Sequence, residues 1–145
     1  MRELLSGAYR HRPAEGFRAN AALLTRLGAA AVFVAFGAGK FASHASEVAS
    51  FRTYGFPAPG VFVYAIGVVE VLGGGLLIAG FATRLASLVL SGDMLGAIIV
   101  SGIVRGEVIS LTLAPVQLTA MLFLLWTGPG RFAIDRRPRS TKARR

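Results

Sequence analysis

The sequence predicts an all-α integral membrane protein in which four transmembrane helices form an up-down-up-down bundle. Four long apolar segments lead to this prediction, at residues 21–40, 61–81, 85–104 and 108–127. A helix of about 20 residues crosses the roughly 30 Å hydrocarbon layer of a bilayer. The apolar residues run continuously rather than alternating as in barrel strands, and backbone amides in lipid must be paired within the segment. Each segment is therefore expected to be a helix.

The links between the segments set the topology. Residues 82–84 and 105–107 are such short links that the helices on either side must be antiparallel neighbours. The first link, residues 41–60, is longer, and its apolar residues recur at helical spacing up to residue 51. This pattern predicts a short amphipathic helix at the outer membrane interface between spans 1 and 2.

The positions of the basic residues indicate which end of the bundle faces the cytoplasm. All Lys and Arg residues except Lys40, Arg52 and Arg105 fall on the side of the two termini and the second link. Because Lys and Arg are enriched in cytoplasmic segments, both termini are expected inside the cell. Residues 1–20 are then a basic cytoplasmic arm, residues 21–135 the transmembrane domain and residues 136–145 a basic cytoplasmic tail.

Composition argues against several classes of function. The net charge of +9 does not indicate nucleic-acid binding, because the basic residues lie in tails and links without a binding motif. The chain has no cysteine, so we expect no iron–sulfur cluster and no covalently attached haem. His11 and His44 both lie outside the span centres, which argues against a bis-histidine haem, and no metal site is expected. A redox role would need a diffusible cofactor or a partner protein.

Two acidic residues are the main candidates for a functional site. Glu70 and Asp93 are the only carboxylates inside the apolar segments, and with Gln117 they lie near the middle of three successive spans. A carboxylate facing lipid at that depth costs about 2.5 to 3.5 kcal/mol, so both should face the bundle interior. On span 2, Gly67 and Gly74 share a helix face with Glu70, which places the glutamate on a closely packed side.

The residues alone leave two interpretations of this group open. In the first, Glu70 and Asp93 are polar contacts that hold helices together, with Gln117 as hydrogen-bond donor. In the second, they line a small cavity that relays a proton, holds a cation or hydrogen-bonds a quinone carbonyl. Lys40 is expected to extend to the outer interface as an anchor, with a secondary contact to a ligand as the alternative, and no basic residue is expected at that depth. Arg84 and Asp135 could form a weak ion pair at the cytoplasmic rim.

The order and spacing of several short motifs resemble the DoxX family of small four-helix bacterial membrane proteins. The likeness covers roughly residues 20–136. The motifs are Arg26-Leu27-Gly28, Gly37-Ala38-Gly39-Lys40, Gly55-Phe56-Pro57-Ala58-Pro59, Glu70-Val71-Leu72-Gly73-Gly74, Gly80-Phe81-Ala82-Thr83-Arg84, and Gly128-Pro129-Gly130 followed by Asp135.

This resemblance implies an inner-membrane location and a link to redox metabolism. Relatives include a subunit type of archaeal thiosulfate:quinone oxidoreductase, and mycobacterial members associate with superoxide dismutase and a sulfurtransferase in oxidative-stress defence. The implied role is a quinone-interacting or accessory subunit of a membrane oxidoreductase rather than a stand-alone enzyme.

Three hypotheses follow, and the sequence leaves open which ligand the protein binds and whether it forms a homo-oligomer. The leading one is a membrane subunit that binds quinone and supports redox homeostasis, with Glu70, Asp93 and Gln117 at its site. The second is a small proton-coupled transporter that uses the same residues. The third is a membrane scaffold whose basic tail recruits a soluble redox enzyme.

Overall fold

The computed structural model describes residues 13–136, and the side chains of residues 16–135. Residues 1–12 and 137–145, which hold most of the predicted arm and tail, lie outside this range. The described chain consists of helices and turns. The helices are α1 Pro13–Ala42, α2 His44–Thr53, α3 Pro59–Ala79, α4 Thr83–Gly96, a π-helical segment Ala97–Ile103, α5 Val108–Thr127 and a 3₁₀ turn Ile134–Arg136.

Four stretches of helix in the described chain are long and apolar enough to cross a membrane, which confirms the predicted fold class. They are Gly16–Ala42, Pro59–Ala79, Thr83–Ile103 and Val108–Thr127. Helix α1 packs on α3, α3 on α4, α4 on α5, and α5 back on α1, so the four spans close into a bundle. Within the described residues α1 runs from Pro13, so it includes residues 13–20 of the segment predicted as a basic arm.

Glycines let α1 and α3 approach each other closely. A Cβ atom on Gly37 would lie 2.9 Å from the Cβ atom of Glu70 and 3.0 Å from the Gly67 carbonyl oxygen. A Cβ atom on Gly74 would lie 2.7 Å from a methyl group of Val34. Real Cβ contacts are longer than this, so the crossing depends on residues without side chains. The close crossing brings the end of α1 over the middle of α3.

The predicted amphipathic helix is present as α2, and it packs against α3. Its one buried residue, Phe51, contacts the rings of Tyr54 and Phe56, with centroid distances of 5.5 and 5.1 Å. These three rings also line the bundle cavity described below. Polar residues Ser43 and Glu47 border the bundle cavity described below.

The third span differs from the regular α-helix predicted for residues 85–104. Its last seven residues, Ala97–Ile103, form a π-helix. A π-helix has a wider turn than an α-helix, and such segments are frequent at functional sites. Near its end, Gly102 packs against Leu111, where a Cβ atom would come within 2.9 Å of a leucine methyl group.

The opposite end of the bundle is closed by the residues that follow α5. We call residues 128–136 the C-terminal strap. The Arg131 amide donates a hydrogen bond to the Ala19 carbonyl at 3.2 Å, and the Asp135 amide donates one to the Gly80 carbonyl at 3.0 Å. Positive φ angles at Gly128, Gly130 and Phe132 (81°, 73° and 54°) turn the chain back over the helix ends. The strap therefore joins α1 to the turn between α3 and α4.

Candidate functional site

A cavity of about 870 Å³ occupies the half of the bundle that adjoins α2. It lies between the second half of α1, the first half of α3, the end of the third span and the first half of α5. Most of the lining side chains are apolar. Six are aromatic, namely Phe33, Phe36, Phe51, Tyr54, Phe56 and Phe62. The volume is in the range that holds a small organic molecule.

An ion pair between α1 and α3 lies at the mid-membrane end of the cavity. Lys40 Nζ donates a hydrogen bond to Glu70 Oε2 at 2.7 Å, and the two side chains are only 12% and 5% exposed. The expectation that Lys40 extends to the outer interface was therefore wrong. Lys40 lies three residues beyond Gly37, on the α1 face that touches α3, so its flexible stem reaches inward to Glu70.

Asp93 lies beside this pair. It is mostly buried, and it is close enough to both Lys40 and Glu70 to interact with them electrostatically. Its Oδ2 atom is buried and has no hydrogen-bond partner in the described part of the chain. The structure thus brings together two carboxyl groups and one ammonium group within the bundle, as the inward orientation of Glu70 and Asp93 required.

Gln117 borders the same cavity but makes a different contact from the one expected. Its Nε2 atom donates to the Ala29 carbonyl at 3.1 Å, and the side chain is buried. The amide therefore ties α5 to α1 instead of donating to a carboxyl group. Gln117 lines the same cavity as the two acids, and that it lies at their depth stays a prediction.

A second polar group borders the other end of the cavity. Glu107 accepts a hydrogen bond from the buried Ser110 hydroxyl at 2.7 Å. Tyr54 lies close by, and burial, followed by the nearby Glu107 carboxylate, raises the pKa of its phenol above the usual value. Tyr54 therefore stays a hydrogen-bond donor at neutral pH. With Glu47 of α2, these residues make this end acidic.

The predicted ion pair between Arg84 and Asp135 is not formed. Arg84 is exposed, and Asp135 instead accepts hydrogen bonds from the Ala82 and Thr83 amides, both at 2.9 Å. These amides begin α4 and have no intrahelical acceptor, so a carboxylate binds them well. Burial opposes the charge of Asp135, but the two amide hydrogen bonds, together with the Thr83 side chain and the nearby Arg26 charge, outweigh it and leave the pKa of this carboxyl below its usual value.

Sequence reasoning missed the structural role of Arg26, which counted only as a topology signal. Its side chain is 1% exposed, inside the first span. Nη2 donates to the Arg131 carbonyl at 3.3 Å, whereas Nε and Nη1 have no partner among the described residues. The guanidinium lies against Gly80, where any side chain would collide with it. Arg26 thus fills the closed end of the bundle beneath the strap.

The fold and this cavity define a four-span integral membrane protein with a polar group enclosed among its helices. The chain belongs to the DoxX family, whose family model matches residues 21–102. It is also similar to a protein of Mycobacterium tuberculosis described as an uncharacterized membrane protein, with 34% identity over 104 residues. The match covers 60% of this chain and 61% of that relative, so the chain spans about three-fifths of the relative's length. No solved structure matches the chain.

The matched residues include the whole Lys40, Glu70 and Asp93 group. Chemically, this group can donate hydrogen bonds from Lys40, accept them at the carboxyl oxygens and exchange protons between neighbouring carboxyl groups. The aromatic and aliphatic walls can bind an apolar body. The arrangement therefore suits an amphipathic small molecule with a polar head group.

Proposed function

We propose that this DoxX-family membrane protein is a quinone-interacting subunit that supports redox homeostasis and oxidative-stress defence. The observation that supports it most is the cavity of about 870 Å³, which joins apolar walls to hydrogen-bonding groups at membrane depth. A scaffold without a ligand would need no such space. The protein supplies binding and orientation, and the electrons come from a partner oxidoreductase, so the chain acts as an accessory subunit rather than a stand-alone enzyme.

The proposed pose places the quinone ring beside Lys40, Glu70 and Asp93. A quinone carbonyl only accepts hydrogen bonds, and Lys40 Nζ is a donor in the cavity wall. The reduced form carries hydroxyl groups, which the carboxylates of Glu70 and Asp93 can accept. The start of the isoprenoid tail then lies against the aromatic walls. The same group thus has contacts for both redox forms.

The test is binding of a short-chain quinol, the reduced form whose hydroxyl groups can donate to Glu70, to the purified protein in lipid nanodiscs, measured by anaerobic equilibrium dialysis. We expect saturable binding by the wild type and a loss of about tenfold or more in affinity for Glu70→Gln, since charged hydrogen bonds contribute about 1.5 to 3 kcal/mol. The matched control is Asp135→Asn, which changes a carboxyl group at the closed end. Equal affinities of wild type and Glu70→Gln would refute the proposal.

A proton-coupled transporter is the second candidate, and the composition of the group at membrane depth favours it. Two carboxyl groups share one ammonium group there, so a fully ionised group would carry one uncompensated negative charge. Such a charge is costly away from water, and a proton or a cationic solute can neutralise it. A change in the internal pH of proteoliposomes coupled to solute uptake would test this, with Asp93→Asn as the inactive variant.

We further propose that the protein lies in the bacterial inner membrane with both termini in the cytoplasm, and that the basic tail 136–145 recruits a partner enzyme. The positive charge of the residues at that end supports this orientation. Because the chain has no cysteine, single cysteines placed in the tail and in α2 can be labelled in intact cells to test it. Labelling of the tail cysteine from outside would refute the orientation.

A further inference from the structure

We infer that the cavity binds a lipophilic organic cation, which it exchanges for a proton. This inference rests on the second candidate function and names the class of its solute. It begins from an imbalance of charge. The chain has seven Asp and Glu residues and a net charge of +9, yet four of those seven, Glu47, Glu70, Asp93 and Glu107, line one cavity. The cavity wall contains a single basic residue, Lys40.

The acids come from four different parts of the fold. Glu47 lies on α2, Glu70 on α3, Asp93 on α4, and Glu107 immediately before α5. They are therefore not a run of charges on one solvated helix face. Lys40 pairs with Glu70 at 2.7 Å and also lies close to Asp93, so one ammonium group accompanies four carboxyl groups in the cavity wall, of which Glu107 is exposed. A cavity of this charge attracts cations and repels anions.

The walls select for a particular kind of cation. Six aromatic side chains line the cavity, and aromatic faces attract organic cations through their ring electrons. A small hydrated cation would gain little from walls that are mainly apolar. A cation whose charge is spread over a large apolar body can bury that body against the rings and keep its charge near a carboxylate.

Asp93 is the residue that exchanges its proton. Its buried Oδ2 atom has no hydrogen-bond partner in the described chain, and the nearby Lys40 is already paired with Glu70, so the carboxylate is only partly compensated without a ligand. When no ligand is bound, a proton neutralises the Asp93 carboxylate. When the cation enters, the O–H bond of Asp93 breaks, the proton leaves to water, and the carboxylate compensates the cation. The net charge of the site is the same before and after exchange.

The experiment uses two ions of the same shape and opposite charge, tetraphenylphosphonium and tetraphenylborate. Each is titrated calorimetrically into the full-length protein in nanodiscs of neutral lipid, in two buffers with different ionisation enthalpies, so that proton release is counted. We expect the phosphonium to bind with release of about one proton and the borate to bind at least about tenfold more weakly. Because the proton competes with the cation, phosphonium binding should weaken as the pH falls.

Variants locate the exchange at Asp93. We expect Asp93→Asn to abolish proton release and to weaken phosphonium binding by about tenfold or more, while Asp135→Asn, at the closed end, behaves as wild type. Equal binding of the two ions by the wild type would overturn the inference without using any variant. Unchanged proton release in Asp93→Asn would overturn it as well. If the protein binds quinone but not the phosphonium, the cation inference is refuted and the quinone role stands. If it binds the phosphonium but not quinone, the quinone role is refuted and the cation inference stands.

Discussion

The ion pair between Lys40 and Glu70 predicts unequal effects for its two single substitutions. Lys40→Met leaves Glu70 and Asp93 together without a basic partner, and breaking a buried pair in this way costs about 3 to 5 kcal/mol. Glu70→Gln leaves Lys40 beside Asp93, which can take over as the ionic partner. We expect that substitution to cost about 1 kcal/mol, the size of one hydrogen bond.

The double variant makes this prediction sharper. Lys40→Met combined with Glu70→Gln removes both charges of the pair and leaves only Asp93, which a proton can neutralise. Its free energy of unfolding should therefore lie above that of Lys40→Met alone. The measurement is reversible unfolding in mixed detergent micelles for the wild type and the three variants, because neighbouring residues that interact show non-additive effects. Strictly additive effects, or a larger cost for Glu70→Gln than for Lys40→Met, would refute the description of this group.

Three further predictions concern packing, the strap and the tail. Gly74→Val should lower the free energy of unfolding by about 1 to 3 kcal/mol, because its Cβ atom would meet Val34 at 2.7 Å. The control Gly75→Val should change the free energy of unfolding far less, because a Cβ atom there would meet nothing within 4 Å. Similar losses for the two variants would contradict the close crossing of α1 and α3. Asp135→Ala should cost about 0.5 to 2 kcal/mol in thermal unfolding, since two amides at the start of α4 lose their acceptor. Because folding lowers the pKa of Asp135, the stabilisation by its carboxylate should be complete at neutral pH and disappear only below about pH 4. Loss of this stabilisation already at pH 6 would be inconsistent with hydrogen bonds from the two amides to the carboxylate. Removing residues 137–145 should leave unfolding and membrane insertion unchanged but reduce co-purification of a partner enzyme, and undiminished co-purification would exclude the tail as its binding site.

The architecture could be predicted because the bilayer imposes it locally. A segment such as Pro59–Ala79 must pair its own amides and present apolar side chains, so its sequence alone indicates a spanning helix. The inward orientation of Glu70 and Asp93 follows from the same argument, since lipid tolerates carboxylates poorly. The short links at residues 82–84 and 105–107 then determine which helices pack side by side. These features depend on residues close together in the sequence.

The contacts that were missed depend on residues far apart in the sequence. Lys40 is 30 positions from Glu70, and its inward orientation depends on how closely α1 crosses α3. The spacing from Gly37 to Lys40 was the available signal, because both lie on one helix face. Arg26 gave no such signal. It is buried because the strap, which lies more than 100 residues later in the sequence, folds back over the bundle. The π-helical turn of Ala97–Ile103 has no marker in the sequence that we recognise.

The central claim, that Asp93 lines the cavity between the helices rather than facing lipid, is tested most directly by thiol accessibility. The chain has no cysteine, so Asp93→Cys and its neighbour Gly92→Cys can each carry a single thiol. A Cβ atom at Gly92 meets nothing within 4 Å, and Gly92 does not line the cavity, so that thiol should face lipid and resist a small water-soluble reagent. We predict labelling of Asp93→Cys, slowed by a bound cavity ligand, and little labelling of Gly92→Cys. Equal labelling of the two positions, or labelling of Gly92→Cys alone, would contradict the account.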